Sequence, residues 1–274
     1  MIQLGRVLNV SFSASFLLVA QRVVWASQMC VCAALALKMW RTALRRVFPL
    51  FFSYLIFRLV RGGTLYALPY GRNLYGWVWL ISSPLSWLAS ILVVLELYAR
   101  VLRSYPGIAS LSRWLLSAGL AVSITLSGLT LWADFGNPGE RFPVILLFTV
   151  IERGVLSSLA IFLLMITVFL TWYPVPLSRN VIVHSMVCAL YFLGATMSLL
   201  VRNVTGHEVT VAVNVALAMV DLACFVLWTA LLSRAGEVKM IVLRQHWRPE
   251  QQQRLMDQLA AINTTLLRAA GRSQ

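Results

Sequence analysis

Two pairs of ionisable residues interrupt stretches of the sequence that are otherwise apolar. Arg58 and Arg61 stand three residues apart and therefore share one face of a helix, whereas Glu152 and Arg153 are adjacent. With the rise of an α-helix, both pairs lie about 14 to 21 Å from the residue where their segment begins. Ionisable groups at such depths mark ion paths, ligand pockets or buried ion pairs. We predict that Glu152 pairs with Arg58 or Arg61. The pair either fixes helix register alone or belongs to a pocket for an anionic or zwitterionic ligand.

A further candidate for a polar site is Asp221, which lies near the middle of another apolar stretch. Asn214 precedes it by seven residues and falls on a similar helix face. Two interpretations stay open: a proton or cation site, and an acid held in its protonated, hydrogen-bonded form by apolar surroundings. Glu96, followed one turn later by Arg100, predicts an ion pair near a helix end. His184 stands alone, which is typical of a hydrogen-bonded core residue.

Catalytic motifs are absent from the sequence. It contains no Gly-rich phosphate loop ending in Lys-Ser/Thr, no His-Glu-x-x-His zinc motif and no Gly-x-Ser-x-Gly turn. The four cysteines lie within apolar runs, and the spacing Cys30-x-Cys32 is typical of neither zinc nor redox sites. We predict that they pack as small apolar residues. The sequence predicts no metal site and no cofactor, and it offers no residue for a catalytic role.

The elements that must position these groups are membrane helices. Of the 274 residues, 60% are hydrophobic and 12% are charged, whereas a soluble domain has about a quarter of its residues charged. A helix of about 20 apolar residues crosses the hydrocarbon core of a bilayer. Seven segments have this character: 15–38, 47–68, 76–99, 113–133, 143–172, 181–201 and 209–233. We predict an all-α protein whose residues 1–233 form a polytopic seven-transmembrane-helix bundle.

The basic residues predict how this bundle is oriented. Fifteen Lys and Arg residues lie in one set of connections and in the C-terminal tail, and four lie in the other set. Cytoplasmic loops carry the excess of Lys and Arg, so the N-terminus is predicted outside and the C-terminus in the cytoplasm. The net charge of +14 then follows from membrane topology and does not indicate nucleic-acid binding.

Residues 234–274 are predicted to form a basic, amphipathic cytoplasmic tail. Pro249 opens a helical stretch in which four apolar residues form one stripe: Leu255, Leu259, Ile262 and Leu266. Such a stripe lies on the membrane surface, caps the bundle or docks a protein partner. We expect any partner to bind through residues 249–274.

Three strings carry a family resemblance: Leu95-Glu-Leu-Tyr98, Glu152-Arg-Gly154 and Tyr173-Pro-Val-Pro-Leu-Ser-Arg-Asn180. They resemble strings in uncharacterised seven-helix membrane proteins encoded in acidobacterial genomes. The resemblance implies a multi-pass protein of a bacterial inner (cytoplasmic) membrane, and it brings no activity with it.

Two functions fit these features, and a membrane enzyme comes third because no catalytic centre is recognisable. The first is a sensory or accessory membrane subunit that acts on a partner through its cytoplasmic tail. The alternative is a transporter or channel for a small solute or an ion, using the intramembrane groups Arg58, Arg61, Glu152 and Asp221.

Overall fold

The computed structural model of the protein describes residues 2–68, 73–102, 121, 143–172, 177–205, 210–238, 240–241 and 249–269. Within these ranges the chain forms helices and two short strands: α1 (Ile2–Arg41), α2 (Leu44–Val47), α3 (Pro49–Ala67), α4 (Asn73–Val101), α5 (Pro143–Trp172), β1 (Leu177–Ser178), α6 (Arg179–Thr205), α7 (Thr210–Leu231), α8 (Arg234–Val238), β2 (Met240–Ile241) and α9 (Pro249–Ala269). The prediction of an almost entirely helical protein is confirmed. The predicted span 113–133 lies outside the described residues except for Ala121.

A tight reversal joins α1 to α3. Ala43 adopts the left-handed backbone conformation, with φ 60°, and the short α2 then leads to Pro49. Proline suits the first position of a helix because its φ is already helical and its missing N–H would have no partner there. The reversal lays α3 antiparallel along α1, so that Trp25 meets Tyr66 at the far end of the hairpin.

Six of the described helices contact one another in the order α1, α7, α6, α5, α4, α3 and back to α1, and α4 also contacts α6. We call this arrangement the ring. Two pairs of neighbours run in the same direction. The Gln28 side chain bonds to the Ala218 carbonyl and Lys38 bonds to the Thr229 carbonyl, so α1 and α7 are parallel. Contacts between aromatic side chains advance together along α4 and α5, from Trp87–Phe148 to Tyr98–Phe162, so these two helices are parallel as well.

One end of the ring is rich in basic residues. At this end α1, α4, α5 and α7 finish while α3 and α6 begin. We call it the basic end, and it carries Lys38, Arg41, Arg45, Arg46, Arg100, Arg179 and Arg234. The other end is called the opposite end below.

Four helical segments are long and apolar enough to cross a membrane: Val19–Arg41, Asn73–Val101, Arg179–Ser198 and Ala212–Leu231. Between 22% and 39% of the most apolar part of each is buried inside the protein. The remaining apolar surface faces outward, as with Trp77 and Ile81, which are 61% and 64% exposed. Exposed apolar surface of this kind is typical of a protein surrounded by lipid.

Two other predicted spans form helices that are less apolar or have a shorter apolar stretch. α3 has bounds close to the predicted 47–68, but Arg58 and Arg61 lower its hydropathy. α5 contains a shorter apolar stretch, Gly154–Val168. Four helices thus have the length and apolar character of membrane spans, and the count of seven spans stays a prediction.

The chain after α7 closes the basic end. Asn180 at the start of α6 donates to the Ser233 carbonyl at 2.7 Å and accepts from the Ser233 N–H at 3.3 Å, while β1 pairs antiparallel with β2. The tail helix α9 buries Leu259, which is 1% exposed and belongs to the main apolar core, whereas Ile262 is 45% exposed. Of the roles predicted for the apolar stripe, capping of the bundle matches this contact.

Candidate functional site

An ion pair between Arg58 on α3 and Asp221 on α7 lies at the middle of the ring. Arg58 Nη2 donates to Asp221 Oδ2, and the two side chains are 21% and 10% exposed. Gln28 on α1 donates to the same oxygen at 3.0 Å and to the Ala218 carbonyl at 2.8 Å. Each of these residues lies near the midpoint of its helix, so the pair joins three helices deep within the apolar region.

Two tyrosines complete the surroundings of the guanidinium group. Arg58 Nη1 donates to the Tyr191 hydroxyl on α6 at 3.2 Å, and the hydroxyls of Tyr54 and Tyr191 are 3.5 Å apart. The Phe225 ring lies 5.5 Å from the guanidinium carbon. Asp221 Oδ1 is buried and has no hydrogen-bond partner among the described residues. Buried polar atoms are normally paired, so this oxygen is a place where water or a ligand group would be stabilised.

Arg61, one turn further along α3, is held by α4. Its Nε donates to the Ser82 hydroxyl at 2.9 Å and its Nη2 to the Ser83 hydroxyl at 3.3 Å. Both hydroxyls donate in turn to the Trp79 carbonyl, so they act as acceptors for the arginine. Glu152 on α5 is half-buried and acts electrostatically on Arg61. The partners of Arg61 are therefore mainly neutral, in contrast to the carboxylate that holds Arg58.

A half-open cavity of about 240 Å³ adjoins both arginines. It lies between α1, α3, α4 and α7 and extends from Arg58 toward the opposite end, where α3 finishes and α4 begins. Its described walls combine these two guanidinium groups with aromatic and thioether side chains, chiefly Trp25, Trp79 and Met29. No carboxylate is among the described lining residues, which gives the cavity a positive character.

Aromatic side chains fill the interior of the ring between this cavity and the basic end. The ring centroid of His184 is 4.3 Å from that of Phe51 and 5.7 Å from that of Trp228, and the histidine is 1% exposed. The core location predicted for His184 is confirmed. Its Nε2 and the Trp228 Nε1 have no partner among the described residues. This packed layer separates the polar cluster from the basic end.

Glu96 has a role that the sequence prediction missed. Its carboxylate on α4 accepts the backbone N–H groups of Leu50 at 3.2 Å and Phe51 at 2.9 Å. These are among the first N–H groups of α3, which have no acceptor within their own helix. The side chain of Phe48 at the N-cap supplies no acceptor. Glu96 thus caps a neighbouring helix. The predicted ion pair with Arg100 is not found among the described residues, and the Arg100 guanidinium lies over the Phe48 ring.

The structure brings together three of the six predicted site residues: Arg58, Arg61 and Asp221. Arg58 pairs with Asp221, a partner that the sequence did not predict. Glu152 acts electrostatically on Arg61, and its predicted pairing with Arg58 or Arg61 stays a prediction. The side chain of Arg153 lies outside the described residues. Asn214 is half-buried on α7, two turns before Asp221, and no described contact ties it to the cluster.

Gln28, Tyr191 and Ser83 belong to the cluster although the sequence prediction did not include them. Gln28 and Tyr191 each had a signal, since an amide and a phenol in mid-span must find polar partners. Ser83 had none, because serine is common in membrane helices as a packing residue.

Comparison with known proteins adds no assignment. No family model matches the chain, and neither a curated protein nor a solved structure matches it. The chemical character of the site must therefore be taken from its own residues. A cavity with guanidinium donors and apolar walls can bind an anion, whereas a nucleophile beside a base is not found among the described lining residues.

Proposed function

We propose that the protein is a seven-helix sensory subunit of a bacterial inner membrane, with its N-terminus outside and its C-terminus in the cytoplasm. It binds a small solute within the ring, and the resulting conformational change is transmitted to a partner protein through α9. The cavity beside Arg58 and Arg61 is the observation that carries this proposal.

The helix directions support the count of seven. α4 and α5 are consecutive among the described helices and run in the same direction. A chain that leaves one helix and enters a parallel one must first return to the starting end. The predicted fourth span, 113–133, is the segment available for that return. The parallel run of α1 and α7 likewise fits an odd number of spans.

The aromatic layer favours sensing over passage. The cavity extends toward the opposite end, which the charge distribution assigns to the outside. On the other side, Phe51, His184 and Trp228 are packed together and buried. A pocket with access from one side can register a ligand, whereas transport requires access from both sides in turn.

A path from the cavity to the tail is provided by α7. Asp221 and Phe225 face the cluster, Trp228 belongs to the aromatic layer, and the helix ends at the contact between Asn180 and Ser233. Ligand binding that moves α7 would therefore move the point where the tail leaves the ring. Such coupling requires that the ligand bind one arrangement of α7 more tightly than another.

The test measures α9 in the intact protein and its partner in the native membrane. Leu259→Asp should release α9, seen as faster hydrogen exchange over residues 249–269, and Gln258→Asp at the adjacent exposed position should not. Native mass spectrometry of protein extracted gently from the host membrane should show a bound protein that is lost when residues 249–274 are removed. If every bound protein remains bound after residues 249–274 are removed, the signalling role is refuted.

A transporter is the second candidate, and the Arg58–Asp221 pair favours it. Intramembrane ion pairs beside a cavity occur along substrate and proton paths. Uptake by purified protein in vesicles that disappears in Asp221→Asn or Glu152→Gln would support transport, and uptake that is equal in empty vesicles would exclude it.

A further inference from the structure

We propose that the ligand of the cavity is a small monocarboxylic acid with a compact aromatic body, and that Arg61 binds its carboxylate. This inference rests on the proposed function and adds the chemical class of the ligand. Three features of the cavity lead to it: its volume, the composition of its walls and the different states of the two arginines.

The volume limits the size of the ligand. An apolar protein cavity of about 150 Å³ accommodates benzene. The cavity here is about 240 Å³. In proportion, it accommodates about ten non-hydrogen atoms, which is the size of a benzene ring with a short carboxylic acid side chain. A fatty acid or a nucleotide is too large to be enclosed.

The walls select an apolar, flat body. Trp25 and Trp79 supply aromatic surface, and Met29 and Leu65 supply flexible aliphatic surface. Aromatic groups pack well on such walls through offset stacking and sulfur–ring contacts. Inorganic phosphate or sulfate would leave this surface without contacts, so a purely inorganic anion fits the cavity poorly.

The two arginines differ in what they offer to an anion. Arg58 is already paired with Asp221 and also donates to Tyr191. Arg61 is held through Nε and Nη2 by the Ser82 and Ser83 hydroxyls, and Nη1 takes part in no described hydrogen bond. The serines fix the guanidinium group while its Nη1 side stays available for a carboxylate. A positioned guanidinium binds a carboxylate through two parallel hydrogen bonds.

The electrostatic influence of Glu152 is consistent with this assignment. It acts on Arg61 but does not line the cavity. Its influence on Arg61 comes from the α5 side, and the cavity side of the guanidinium group is left to the ligand.

Phenylacetate is a suitable probe because it has the predicted size and charge. Radiolabelled phenylacetate should bind saturably to the full-length protein in nanodiscs, and 2-phenylethanol, its uncharged analogue, should compete poorly. Arg61→Gln should weaken phenylacetate binding about tenfold to a hundredfold, as expected for loss of a charge-assisted hydrogen bond. Arg22→Gln, at an exposed arginine of α1, is the matched control and should bind like the unchanged protein.

A second variant guards against a folding defect in Arg61→Gln. Leu65→Phe places a ring in the cavity without changing its charge, so it should exclude phenylacetate and still bind radiolabelled acetate, which lacks the aromatic body. The inference is overturned if phenylacetate does not bind, if Arg61→Gln binds it unchanged, or if phosphate or palmitate binds where phenylacetate fails.

Hydrogen exchange of α9 during the same titration separates the two proposals. Saturable phenylacetate binding that leaves exchange over residues 249–269 unchanged would support the ligand class and contradict signalling. Changed exchange on adding phosphate, without phenylacetate binding, would support signalling and overturn the ligand class.

Discussion

Removal of one charge from the Arg58–Asp221 pair is expected to destabilise the protein strongly. Asp221→Asn keeps the shape of the side chain and leaves the guanidinium of Arg58 without a carboxylate. Breaking a buried ion pair in this way typically costs about 3 to 5 kcal/mol. Arg58 is 21% exposed and adjoins the cavity, where water can reach it. We therefore expect a loss near the lower limit, about 3 kcal/mol.

The double variant Arg58→Gln/Asp221→Asn decides whether the loss comes from the pair itself. It carries no net change of charge, so its destabilisation should be well below the sum of the two single variants. We expect a coupling energy above about 2 kcal/mol. A neutral interhelical hydrogen bond in a membrane protein contributes about 0.6 kcal/mol on average. Gln28→Leu removes the uncharged Gln28 side chain, which donates to the Asp221 carboxylate and to the Ala218 carbonyl, and so provides a comparison within the same cluster.

Reversible unfolding in mixed detergent micelles, followed by circular dichroism, measures these free energies. Arg22→Gln serves as the control for loss of an arginine outside the cluster. Additive effects of the two single variants, with a coupling energy below about 0.5 kcal/mol, would show that Arg58 and Asp221 do not interact and would refute the geometry.

Three further predictions concern packing and helix capping. Gly62→Ala should weaken phenylacetate binding, because a Cβ at Gly62 displaces the Met29 thioether in the cavity wall. Gly63→Ala, whose Cβ has room, should leave binding unchanged. Glu96→Ala should lower the free energy of unfolding by about 2 kcal/mol, because it removes the acceptor for the first N–H groups of α3, and an unchanged value in the micelle assay would contradict the cap. Gly194→Ala should destabilise the contact of α6 with α7, since its Cβ would lie 2.7 Å from a valine methyl group. Hydrogen exchange should become faster along both helices, and faster exchange confined to other helices would contradict this prediction.

Helix positions were largely predictable from the sequence. Predicted spans 76–99 and 209–233 correspond to α4 (Asn73–Val101) and α7 (Thr210–Leu231). Long apolar runs determine these bounds because the bilayer requires internal hydrogen bonding over a fixed thickness. The tail helix was equally visible, since Pro249 favours a helix start and the stripe follows the helical period.

The partners within the site were less predictable. Depth along a helix can be counted from the sequence, and it selected three residues that the structure brings together: Arg58 and Arg61 line the cavity, and Asp221 pairs with Arg58. Which helices are neighbours cannot be counted in this way. Glu152 and Asp221 lie at comparable depths, so the choice between them as the partner of Arg58 depended on the order of helices in the ring.

The antiparallel pairing of β1 with β2 limits how easily another molecule can compete with the ring for binding to α9. Ile241 is fixed beside α6, and eight residue steps separate it from Pro249, so α9 must begin within about 30 Å of that point. A helix tethered this closely faces its docking site at an effective concentration in the range of about a millimolar. A soluble competitor present at about a micromolar would therefore need about a thousandfold higher affinity for α9 than the ring has, unless the ring first loosens its hold on Leu259.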